Sequence, residues 1–222
     1  MRPFTPTSRL VLRVALLLLV LACAPALASA QGLINTVSIL GVSSEYPGIE
    51  ASHLLTADGF GAGNPPTFTN DYVPADIWET MPYQPGGVNW VAFDLGGTFD
   101  LAGFHVWNFN VVSGLNYTGR GVSSMTVLTS ADNVTWTSRS TVTLAQAPAL
   151  PTYIGQDFSA GWTDVRYVKF AALYSFQNGG DDAGHMGLSK VEFSGTAVPE
   201  PAGVAAWCGL GGLVLVFWRR RQ

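Results

Sequence analysis

Hydrophobic and polar positions through the middle of this chain alternate in short runs and show no helical spacing. Residues 88–95 form an apolar-rich run that ends in Gly96-Gly97, and Phe104-His105-Val106-Trp107-Asn108 alternates. Further runs follow at 125–129, 135–137, 141–144, 153–158, 166–173 and 188–193, with Gly, Pro, Asn and Asp between them. Runs rich in Thr, Val and aromatics, separated by turns such as Ser130-Ala131-Asp132-Asn133, predict β-strands. No amphipathic helix longer than about three turns is visible, and residues 51–56 are expected to form at most one turn. Two prolines within 145–151 make that stretch a loop or a sheet edge. Many short strands with turn signals between them predict an all-β fold, a jelly roll or β-sandwich.

The two ends break the alternation. Arg2, Arg9 and Arg13 precede an apolar stretch at 14–22, and Ala28-Ser29-Ala30 is a small-residue cleavage pattern. Residues 1–30 therefore read as a secretory signal peptide, with the Sec translocon and signal peptidase as implied partners and a mature start near Gln31. A lipidated Cys23 is the rival reading.

At the other end, Val198-Pro199-Glu200-Pro201 is followed by a 17-residue uncharged run (202–218) and then Arg219-Arg220-Arg221. The Pro-Glu-Pro step cannot continue a helix or a sheet ladder. The run predicts a single hydrophobic helix, near the lower limit for crossing about 30 Å of hydrocarbon. The arginines hold its end on the cytoplasmic side. This tail (197–222) resembles the PEP-CTERM sorting signal of bacterial exported proteins. That resemblance implies recognition by exosortase, a membrane-embedded protease-transpeptidase that removes the hydrophobic segment. The chain would then be anchored transiently before reaching the cell surface or medium. An ordinary single-pass tail anchor is the alternative.

With both ends set aside, one domain remains at 31–196. The two cysteines, Cys23 and Cys208, both lie in the end segments, so the domain gains no disulfide. It keeps five basic residues (Arg120, Arg139, Arg166, Lys169, Lys190) against fourteen acids, a net charge of −9. So sparse a basic set argues against nucleic acid as a partner.

Several segments, in order, resemble the discoidin, or coagulation factor 5/8 type C, family of galactose-binding-like jelly rolls. They are Ala51-Ser52-His53-Leu54-Leu55-Thr56-Ala57-Asp58-Gly59, Trp78 where that family's loop carries a buried tryptophan, Trp90-Val91-Ala92-Phe93-Asp94-Leu95-Gly96, the 127–136 stretch with Ser130-Ala131-Asp132-Asn133 and Trp136, Arg166-Tyr167-Val168-Lys169-Phe170, and Gly187-Leu188-Ser189-Lys190-Val191-Glu192-Phe193. Lys190 departs from the pattern, where an acid is frequent. Trp90, Phe93, Leu95, Trp136, Tyr167 and Phe193 are expected in the core. Asp94 is expected to satisfy turn backbone groups, and Arg166 to be a packed, paired arginine.

The resemblance implies a calcium ion held by Asp58 and Glu192, with Thr67 or Thr69 and loop carbonyls as helpers. Hard oxygen donors of this mixed kind suit that ion. It also implies a carbohydrate-binding face on the loops at one end of the fold. Aromatic rings for C–H surfaces and a few convergent polar groups make such a site, and Trp78, Tyr83, Asn108, Arg120, Phe176 and His185 are the candidates. Catalysis has little support. His53, His105 and His185 lack metal-ligand spacing, and no G-x-S-x-G elbow occurs. The reading is an exported, non-enzymatic protein that binds extracellular polysaccharide. Two alternatives stand beside it: a structural or adhesive biofilm-matrix protein without a small ligand, and a hydrolase whose paired carboxylates lie far apart in the chain.

Overall fold

The computed structural model describes residues 31–56, 60–63, 66–68, 73–82, 87–176 and 184–199. Twelve strands are present among them: β1 Gly32–Leu33, β2 Ser38–Val42, β3 Phe60–Gly63, β4 Pro66–Phe68, β5 Trp78–Glu79, β6 Asn89–Asn108, β7 Val112–Ser113, β8 Leu115–Asn116, β9 Val122–Ser130, β10 Thr137–Thr143, β11 Gln156–Ser175 and β12 Gly187–Ala197. Three short 3-10 turns, Ala51–Leu55, Pro74–Asp76 and Thr118–Arg120, are the helical elements among the described residues. No helix among the described residues is long and apolar enough to cross a membrane. The apolar run at 202–218 lies outside them.

Two 20-residue strands, β6 and β11, organise the fold. They form one long antiparallel ribbon, from Gln156 opposite Val106 to Leu173 opposite Asn89. The first half of β6 also pairs with β2, and the second half of β11 with β9, which in turn pairs with β10. The second half of β6 pairs with β12, whose outer neighbours are β1 and β5. The ribbon bends midway, so its two halves carry two sheet layers that face each other. Phe93 and Phe170 of one layer meet Phe193 and Phe104 of the other, with ring centroids 5.1 Å (Phe93–Phe193) and 5.4 Å (Phe104–Phe170) apart. This is an all-β jelly roll with its core between the layers.

Gly96-Gly97, expected to end a strand, instead lies within β6 at the bend. Gly96 takes φ +80°, and a Cβ there would stand 2.7 Å from atoms of Thr36, so only glycine turns the strand while pairing continues. The carboxylate of Asp94 accepts the Gly96 N–H at 2.9 Å, as the sequence predicts. Arg166 donates to both oxygens of Asp94 at 3.3 Å, which makes it the paired arginine expected. The 130–135 turn closes on Asp132, which accepts the Val134 and Thr135 N–H groups and the Ser130 hydroxyl. These bonds favour the carboxylate and lower the Asp132 pKa to about 2.

A second apolar cluster lies apart from the main core. Trp107, Phe109, Ile49, Ile77, Val111, Ala147 and Tyr153 pack together there. Burial raises the pKa of the Tyr153 phenol, which accepts the Asn108 N–H at 3.2 Å.

Of the six aromatic and aliphatic residues expected in the core, Phe93, Leu95 and Phe193 are there. Trp90, Trp136 and Tyr167 are only half-buried. On β6 the inward row is Val91, Phe93 and Leu95, which leaves Trp90 facing out.

Candidate functional site

A buried carboxylate is the centre of the best-formed polar cluster. Glu79 closes the two-residue strand β5, which docks on the start of β12 with Leu188 opposite Trp78 and Gly187 opposite Glu79. The approach needs glycine at 187, since a Cβ would stand 2.6 Å from the Trp78 carbonyl and 2.4 Å from the Phe109 ring. Once docked, the Glu79 side chain is 1 % exposed. An isolated carboxylate there would be costly, and two cationic or donor groups answer it. Arg120 Nη1, from the turn Thr118–Arg120, donates to Glu79 Oε1 at 2.7 Å. His185 Nδ1 lies 3.1 Å from the same oxygen and 3.2 Å from the Thr80 carbonyl. Both neighbours of Nδ1 are acceptors, so that nitrogen carries a proton.

Aromatic rings flank the cluster. The Arg120 guanidinium lies 4.5 Å from the Tyr117 ring centroid. The Tyr46 ring is 6.0 Å from the His185 ring, and Tyr46 N–H donates to the Glu79 carbonyl at 2.7 Å. Tyr46 itself is exposed. Phe176, half-buried, reaches the same end of the sandwich, where its N–H donates to the Gly121 carbonyl at 3.3 Å. Polar groups held by ion pairing beside partly exposed aromatic surface suit a small ligand rich in hydroxyls.

Of the candidates, Arg120 and His185 meet on Glu79, Phe176 bonds through its backbone to Gly121 beside Arg120, and two others do not join them. Trp78 is fully buried within the core. Asn108 is also fully buried, and its amide is used up. Its Nδ2 donates to the carbonyls of Val122 (2.8 Å) and Ala145 (2.9 Å). Its Oδ1 accepts the N–H groups of Phe109 (2.9 Å) and Val122 (2.8 Å). Both residues build the end of the sandwich and have no surface to offer a ligand. Tyr83 lies outside the described residues. Glu79, unlike these, was not among the candidates. An acid inside Ile77-Trp78-Glu79-Thr80-Met81 was the available signal, because a carboxylate in an apolar run needs a cation.

Of the four expected calcium donors, Asp58 and Thr69 lie outside the described residues. Thr67 is in β4, and Glu192 is on the outer face of β12, opposite His105. Glu192 Oε1 already holds the Lys190 ammonium at 3.0 Å. No group of three or more His, Cys, Asp or Glu comes together among the described residues. The described donors therefore do not by themselves make a calcium site.

Glu192 also borders a groove of about 640 Å³ on the outer face of β6, β11 and β12, lined by His105, Asp157 and Phe158 among others. This groove does not reach Glu79. His105 is committed within it, with Nδ1 2.7 Å from Asp157 Oδ1 and Nε2 2.7 Å from the Ile154 carbonyl.

No family model matches the sequence, and no curated protein does. The fold does have solved relatives. It is similar to CBM32-3 from a family 31 glycoside hydrolase of Clostridium perfringens, with TM-score 0.54 and 16 % identity over 73 % of this chain and 93 % of that one. The family 32 CBM of NanJ from C. perfringens, in complex with galactose, matches with TM-score 0.52 and 11 % identity over 74 % and 99 %. A third, CpGH89CBM32-5 from the same organism, in complex with GalNAc-β-1,3-galactose, matches with TM-score 0.52 and 12 % identity over 74 % and 99 %. At these identities the likeness is one of fold.

Proposed function

We propose that residues 31–196 are a non-catalytic carbohydrate-binding domain whose site is built on Arg120, Glu79 and His185. The observation that carries this reading is the cluster itself, two donor side chains locked by a buried carboxylate beside Tyr46 and Tyr117. Its place on a fold shared with galactose- and GalNAc-β-1,3-galactose-bound modules supports a sugar of that type. Arg120 and His185 supply hydrogen bonds to hydroxyls, and the tyrosine rings cover the sugar's C–H face. A glycan array on the full-length protein tests the reading. Terminal galactose or GalNAc should be retained, and Arg120→Ala and His185→Ala should each weaken binding about tenfold. An empty array would favour the structural or adhesive matrix role.

Calcium is a separate proposal that rests on the Asp58 loop. On that proposal excess chelator lowers the melting temperature by several degrees, because a ligand bound only to the folded state stabilises it. An unchanged melting curve, with no calcium by elemental analysis, would remove the ion from the account.

We also propose that the protein is exported and sorted through its tail by exosortase, and then meets extracellular polysaccharide. Val198 and Pro199 are the described part of that motif, and Val198 N–H still donates to the Thr98 carbonyl at 2.9 Å. Glu200, Pro201 and the three arginines lie outside the described residues. Mass-spectrometric mapping of the C-terminus of exported protein should end at the Pro-Glu-Pro step; peptides retaining Trp218 would mean a plain anchor.

A further inference from the structure

The outer face of the layer made by β2, β9, β10 and the paired halves of β6 and β11 carries a cation between two indole rings. Lys169 Nζ lies 4.7 Å from the Trp90 ring centroid and 4.4 Å from that of Trp136. Strand alternation builds this arrangement. On β11, Val168 and Phe170 point into the core, which sends Tyr167 and Lys169 outward. Lys169 is opposite Ala92 on one side and Leu128 on the other, placing its ammonium over the middle of the sheet. The Trp90 ring extends over Gly41 of β2, where an added Cβ would be 3.4 Å away. Trp136 comes from the turn that Asp132 and Ser130 close.

Stability alone gives a weak reason for this surface. An exposed cation–π contact contributes little, and β9 and β10 fill comparable outward positions with Thr126 and Thr141. Two half-buried tryptophans flanking a cation on an outward sheet face form a surface of the kind aromatic-rich interfaces use. The nearby acids are engaged elsewhere: Asp94 by Arg166 and the Gly96 N–H, and Asp132 by its own turn. Among the described residues Lys169 has no carboxylate partner. Residues 31–199 carry a net charge of −9, so this face differs from the whole in holding Lys169 between two aromatic rings.

We propose that this platform is a second carbohydrate site, for a polysaccharide bearing uronic acid. A sugar carboxylate meets the Lys169 ammonium, and the sugar ring packs against the indole surface of Trp136 and Trp90 left open beside it. The site is independent of the Glu79 cluster.

Affinity electrophoresis of the full-length protein in gels containing polygalacturonate, with neutral galactan as the comparison, tests it. Polygalacturonate should retard the wild type more than galactan does. Lys169→Gln and Trp136→Ala should each weaken that retardation about tenfold with melting temperature unchanged. Absence of retardation, equal retardation by galactan, or insensitivity to both platform variants would each overturn the proposal.

Discussion

Replacing Glu79 with alanine should lower the stability of the domain by about 3–5 kcal/mol, the usual cost of removing one partner from a buried ion pair. The carboxylate is the common partner of Arg120 and His185, at 2.7 and 3.1 Å. Without it the guanidinium is left largely desolvated, and the proton on His185 Nδ1 keeps only the Thr80 carbonyl. Urea unfolding followed by tryptophan fluorescence measures the loss. The double variant Glu79→Ala/Arg120→Ala should lose less than the two single losses combined, since removing both partners leaves no unpaired buried charge. A Glu79→Ala midpoint equal to that of the wild type would show that the cluster does not hold the end of the sandwich.

The second large effect is expected at Asn108. Alanine there would orphan the N–H groups of Phe109 and Val122 and the carbonyls of Val122 and Ala145, all of which its amide now satisfies. Each buried polar group left unpaired costs about 1–3 kcal/mol, so a total loss of at least about 3 kcal/mol is expected. The same urea experiment reads it. A loss under about 1 kcal/mol would mean that water replaces the amide in all four bonds. An aspartate at 108 should be worse still, since it removes both donated bonds and buries a charge.

The strands were readable from the sequence because alternation is a local signal. Their continuity was not. Residues 88–95 and 104–108 looked like two strands separated by Gly96-Gly97, yet they are one strand bent at a glycine. Whether a glycine ends or bends a strand depends on the neighbour it meets, here Thr36, which no local pattern encodes. Facing was the second limit. In 88–95 both alternating rows are partly apolar, Trp90 and Ala92 on one and Val91, Phe93 and Leu95 on the other. Only pairing with β11 decides which row enters the core, and that decision left Trp90 outside.

The candidate site was legible in part for the same reason. Arg120 and His185 stood out as polar residues in glycine-bearing segments. Their shared partner did not, because Glu79 lies 41 residues before Arg120. Asn108 resembled a ligand contact from its residue type alone, and burial assigned it to the frame.

The bent ribbon of β6 and β11 also bears on how the chain reaches its native state. Each of these strands belongs to both layers, so neither layer can assemble to completion alone. Their paired residues are distant in sequence, from Val106 with Gln156 to Asn89 with Leu173. Loop-closure entropy must be overcome before those contacts contribute, and domains dominated by such pairings fold in milliseconds to seconds. Until the ribbon closes, the edges of β2, β9 and β12 are open together. The jelly roll therefore forms late and as a unit.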